Sequence, residues 1–146
     1  MFCNINKDNS INSNIKMTMQ NPKSEFKKEQ FKEEFKKRIK QFVLNLIQFI
    51  DSLSKDTSGK IIANQLVRSG TSIGANYFEA RAASSKNDFT NFFNHCLKSA
   101  NESKFWLEIL IDAKKCNIQE ANKLLKEASE IANIFASSIL TLKGKK

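Results

Sequence analysis

From Phe35 onward, apolar residues return every three or four positions, and the interruptions fall where turn-forming residues cluster. Phe35, Ile39, Phe42, Leu46, Phe49 and Leu53 alternate steps of four and three, the spacing that keeps one face of an α-helix turned toward a single partner surface. Val43, Ile47 and Ile50 form a second stripe beside it, so this first helix, near residues 26–54, carries more apolar face than one bundle core requires. The segment SKDTSG, residues 54–59, breaks the period. A second helix, near 58–83, places Ile62, Leu66, Ile73, Tyr77 and Ala80 on its core face. Ser85 and Asp88 form a capping start for a third helix, near 86–115, with Phe89, Phe93, Cys96, Ala100, Ser103, Leu107 and Leu110 on its seam and Lys114 and Lys115 at its end. Asn117 and Glu120 open a fourth, near 118–142, whose seam reads Ile118, Ala121, Leu125, Ala128, Ala132, Phe135, Ile139 and Leu142. Four long helices with short connections predict an all-α fold, an antiparallel up-down-up-down four-helix bundle.

Composition agrees: 146 residues suit one domain, and 4 Gly with 1 Pro leave few places for a strand-and-turn fold. Residues 1–25, rich in Asn and Ser and without a sustained period, read as a disordered leader ahead of the bundle at 26–146. Met17 and Met19 offer start codons alternative to Met1. Cys3, Cys96 and Cys116 are odd in number and form no CxxC pair, which fits a reducing cytoplasm. No apolar run reaches the roughly 18 residues that a membrane span needs, and no signal-peptide region opens the chain.

The chemistry on offer is sparse. The chain has a single histidine, His95, and its neighbour Cys96 points about 100° away on a helix, so the two cannot share a metal. The nearest arginine before His95 is Arg81, across a turn, which disfavours a helical-bundle nuclease site. We expect no catalytic, cofactor-binding or metal-ligating residues, and hence no enzyme. The formal charge of +9 points instead to an anionic partner. Lys36, Lys37, Arg38 and Lys40 outnumber the acids around them and, with Lys143, Lys145 and Lys146 of the tail, form a candidate phosphate-contacting set; the alternative is a solvated helix face.

The segment RSGTSIGANYFEA, residues 68–80, sets Gly70 and Gly74 one turn apart inside a helix, where each glycine costs about 1 kcal/mol against alanine. Such a pair is kept where a neighbouring backbone comes close. Arg68, Ser72 and Asn76, with Glu79, make a polar stripe beside the glycines. We read Arg68, Gly70, Ser72, Gly74, Asn76 and Glu79 as a helix-packing and subunit interface, with a recognition face as the alternative.

QLVRSGTSIGANYFEA, residues 65–80, resembles the helix-two signature of the 23S rRNA intervening-sequence proteins, a four-helix-bundle family related to the Avd accessory protein of diversity-generating retroelements. Asp88 with Phe89 and the segment ESKFWL, residues 102–107, resemble its helix-three pattern, and the likeness runs from about Phe35 to Leu142. Tyr77 and Phe78 depart from it, since the family more often has smaller aliphatic residues there. The resemblance implies a bundle that assembles into a homopentameric ring, with no catalytic residues, and partners among RNA, DNA or a nucleic-acid-processing protein. A protein-interaction scaffold that binds no nucleic acid is the competing expectation.

Overall fold

The computed structural model describes residues 21–145, so Cys3, Met17, Met19 and Lys146 lie outside the described residues. Among the described residues four helices follow in order: α1 (Pro22–Asp51), α2 (Thr57–Arg81), α3 (Lys86–Asp112) and α4 (Ile118–Leu142). Among the described residues there is no strand. The chain divides into two compact units, one ending at Phe35 and one running from Lys36.

In the first unit the opening turns of α1 begin at Pro22, ahead of the expected Phe26. Asn21 caps them: its Oδ1 accepts from the Lys23 amide at 3.2 Å and its carbonyl accepts from the Ser24 amide at 2.8 Å, while Pro22 occupies the first helical position, where no amide proton is needed. Phe31 stacks on Phe35 with ring centroids 6.0 Å apart.

In the second unit the helices alternate in direction. Ser69 of α2 meets Ser103 of α3, while Ile73, further along α2, meets Cys96, earlier on α3, so the two run antiparallel. Leu46 lies on Gly70 and Ile39 on Gly74, which sets α1 antiparallel to α2 by the same reasoning. Arg38 reaches Glu127 and Glu130 of α4, while Phe49, later on α1, shares a cleft with Glu120, earlier on α4. The up-down-up-down order follows.

The core is built from the residues the periodicity selects. Ile39, Phe42, Leu46, Leu66, Ile73, Leu107, Leu110, Ile131 and Phe135 are buried almost completely, each burial worth about 1.5–3 kcal/mol relative to exposure. Tyr77, Phe93 and Phe135 form an aromatic cluster with centroids 5.1–6.2 Å apart. At mid-height the core turns polar: the buried Ser103 hydroxyl lies 2.9 Å from Ser69 Oγ, and Ser69 donates to the carbonyl of Leu66. On α4 the buried set differs from the expected seam. Leu124 and Ile131 are buried, Leu125 is half-buried, and Ile118, in the first turn of the helix, is 45% exposed. Ala121, Leu124, Ala128, Ile131, Phe135 and Ile139 also step by three and four, so the spacing allows two phases from Ala121 and the packing takes this one.

The C-terminal ends of α1, α2 and α3 fall slightly inside the expected bounds, and α4 ends at Leu142 as expected. α3 stops at Asp112 because Lys114 adopts a left-handed backbone (φ 54°), with the Lys115 amide donating to the Leu110 carbonyl and the Lys114 amide to that of Ile111. Gly144 (φ 68°) closes α4 in the same way. Asp56 caps α2 by accepting from the Gly59 amide at 2.8 Å, and the Lys115 ammonium reaches its other carboxylate oxygen at 2.8 Å. That ion pair ties the α1–α2 connection to the α3–α4 connection.

Candidate nucleic-acid interface

The basic run on α1 resolves into residues with different duties. The Arg38 guanidinium grips Glu127 through two hydrogen bonds, at 2.5 and 2.8 Å, and also contacts Glu130. The hydrogen bond to Glu127 raises its pKa further above an already high ordinary value, so it stays charged at every accessible pH. A guanidinium so engaged fastens α1 to α4 and has few donors left for phosphate. Lys37 and Lys40 extend into solvent, as do Lys143 and Lys145 beyond α4, and none of these four meets a carboxylate among the described residues.

Lys36 is half-buried, with its ammonium 5.3 Å from the centroid of the Phe78 ring. Phe78 is 50% exposed. Together with Tyr77, Arg81 and Ala82 these two residues line a shallow cleft of about 250 Å³. Sequence reasoning missed this juxtaposition, because it depends on the axial register of α1 against α2, which periodicity does not specify.

The two glycines of α2 differ in what lies over them. A β-carbon at Gly70 would stand 2.0 Å from Leu46 Cδ2, so the close approach that this glycine permits is to the chain's own α1. Gly74 is looser, with Val43 Cγ2 at 3.6 Å from such a carbon. Among the described residues the polar stripe forms no buried network: Ser72 donates to the Arg68 carbonyl and Asn76 to that of Ser72, each on its own helix. Arg68 reaches Gln65 and Glu102, and Glu79 is exposed.

Of the remaining reactive groups, His95 is exposed and Cys96 is fully buried, its thiol facing the Ile73 carbonyl at 3.6 Å. Burial pushes the Cys96 thiol up to about 12 and also raises that of Cys116, so neither is a ready thiolate. Among the described residues no three His, Cys, Asp or Glu side chains gather as metal ligands, and no helix is long and apolar enough to cross a membrane. A second open cleft, about 360 Å³, lies between α1 and α4 among Phe42, Asn45, Phe49, Glu120, Lys123 and Leu124. It mixes both charges and apolar rings without a convergent polar set.

The model of one protein family, 23S rRNA-intervening sequence protein, matches residues 32–137. Among solved structures, the crystal structure of a protein of unknown function from the S23 ribosomal protein family of Bacteroides thetaiotaomicron is similar, with a TM-score of 0.67 and 34% sequence identity over 71% of this chain and 96% of the other. No curated protein sequence matches.

Proposed function

Because the chain belongs to the 23S rRNA-intervening sequence protein family, we propose that it is a non-enzymatic cytoplasmic bundle that binds RNA or DNA through a basic surface and acts as a homo-oligomer, in the pentameric ring that the family resemblance implies. The observation that carries the reading is the exposed set Lys37, Lys40, Lys143 and Lys145, cations without carboxylate partners on a chain of net charge +9. Each phosphate neutralised by such a lysine releases condensed counterions, which favours binding at low salt whatever the sequence bound. Arg38 belongs to a different role in this reading, since Glu127 and Glu130 already neutralise it. Leu44 and Ile47, 45% and 37% exposed on one face of α1, support self-association. A nucleic-acid-processing protein is a further partner consistent with the same surface.

The test is a titration of labelled structured RNA and duplex DNA at several salt concentrations. The expected result is affinity that falls linearly on a log-log plot, with a slope reduced by about one for each lysine converted to alanine. Arg38→Ala should lower thermal stability while leaving the slope nearly intact. If neither nucleic acid binds at low salt, the protein-interaction scaffold takes its place.

A further inference from the structure

The outer face of α1 carries a stripe that complements itself when reversed. Lys37, Lys40, Leu44, Ile47 and Asp51 step by three and four, fall within about 80° of arc on the helix and are all exposed. The arc points away from the buried residues Ile39, Phe42, Leu46 and Phe49 that seat α1 in the bundle. Its middle is apolar and its ends carry opposite charge: Lys40 lies four residues before Leu44, and Asp51 four residues after Ile47. Among the described residues neither the Lys40 ammonium nor the Asp51 carboxylate meets an opposite charge, and the hydrogen bond that Lys55 gives to Asp51 goes to its backbone carbonyl.

We propose that this face packs against the same face of a second copy, with the two α1 helices antiparallel across a two-fold axis. Once Leu44 of one chain lies beside Ile47 of the other, the equal spacing on either side brings each Lys40 opposite the other chain's Asp51. The contact then has an aliphatic centre flanked by two ion pairs. A parallel alignment would set Lys40 against Lys40 and Asp51 against Asp51, so charge selects the antiparallel one. The inference rests on the self-association reading above and gives it a symmetry. An isologous contact closes at two copies, whereas a ring of five needs a heterologous one, so the chains that this face joins come in pairs. Lys40 then serves the contact, which leaves Lys37, Lys143 and Lys145 for phosphate.

Sedimentation equilibrium of charge-reversed chains tests the pairing. Reversing one charge on every chain places two like-charge contacts in each pair, so Lys40→Asp alone or Asp51→Lys alone is expected to weaken association by about ten-fold or more. Mixing the two variants should restore it, because both contacts of the mixed pair again join opposite charges, and the double variant Lys40→Asp with Asp51→Lys should associate as the wild type does. Both residues are exposed, and circular dichroism with a melting curve checks that each variant folds. Single variants that associate like the wild type, or a mixture no heavier than its two components, overturn the two-fold contact while leaving assembly through another face intact. A wild-type chain that stays monomeric at every concentration overturns the self-association reading as well.

Discussion

The two glycines of α2 look equivalent in sequence and are not equivalent in the fold. At Gly70 an added methyl group would run into Leu46 Cδ2, and Leu46 is only 1% exposed, so it has no open space to swing into. Gly70→Ala is therefore expected to destabilise the bundle by about 1–3 kcal/mol, as overpacking does. At Gly74 the same methyl group would meet Val43 and Ile39 at ordinary contact distance. Gly74→Ala should be neutral or stabilise by up to about 1 kcal/mol, because it removes a flexible residue from a helix interior. Urea denaturation of both variants measures the contrast, and equal losses at the two sites would contradict it. The need for a close approach was legible from the Gly pair; its partner was not, because hydrophobic spacing gives a helix its face but not the residue opposite. The same limit hid the pairing of Arg38 with Glu127 and Glu130, which lie some ninety positions away.

At the scale of helices and their ends, the three-and-four rhythm carried nearly everything for α3, where Phe93, Cys96, Ala100, Ser103, Leu107 and Leu110 are buried as expected and Phe89, in the first turn, is half-buried. It carried less for α4, where apolar residues at both Leu124 and Leu125 and at both Ile131 and Ala132 allow two phases of the same rhythm, and Leu124 and Ile131 are the ones buried. Connections were the least legible part. Lys115 reads in sequence as a charge suited to a helix terminus, yet it holds Asp56, the cap of α2, across the end of the bundle. The Lys115 ammonium, followed by the Gly59 amide, keeps the Asp56 carboxyl well below the usual carboxylate range. A carboxylate whose folded pKa is depressed contributes its stability in full above its unfolded pKa of about 3.9, and loses it as pH falls from there toward the folded value. Asp56→Ala should lower the melting temperature at neutral pH, and the gap to wild type should narrow once pH drops below about 4. A gap that stays constant into acid would show that the carboxylate charge contributes nothing.

For the molecule as a whole, the second apolar stripe of α1 was visible in the sequence, and part of it remains uncovered: Ile50 is buried and Val43 is half-buried over Gly74, while Ile47 faces outward beside Leu44, which lies outside that stripe. If this face joins copies of the chain, static light scattering at micromolar concentration should give a mass several times that of the 16.7 kDa chain, and Leu44→Lys with Ile47→Lys should return it to the monomer. A wild-type monomer would rule the assembly out. The candidate site depends on a different property of α1, its position along its own axis. Leu46 seats in the notch that Gly70 leaves, and ten residues earlier on the same helix Lys36 comes level with Phe78, eight residues later on α2. Sliding α1 by one turn, about 5.4 Å, would drive Leu46 into the side chains flanking the notch and carry the ammonium off the ring. The missing side chain at Gly70 thus works as a detent, fixing from some 12–15 Å away which cation stands beside the exposed aromatic.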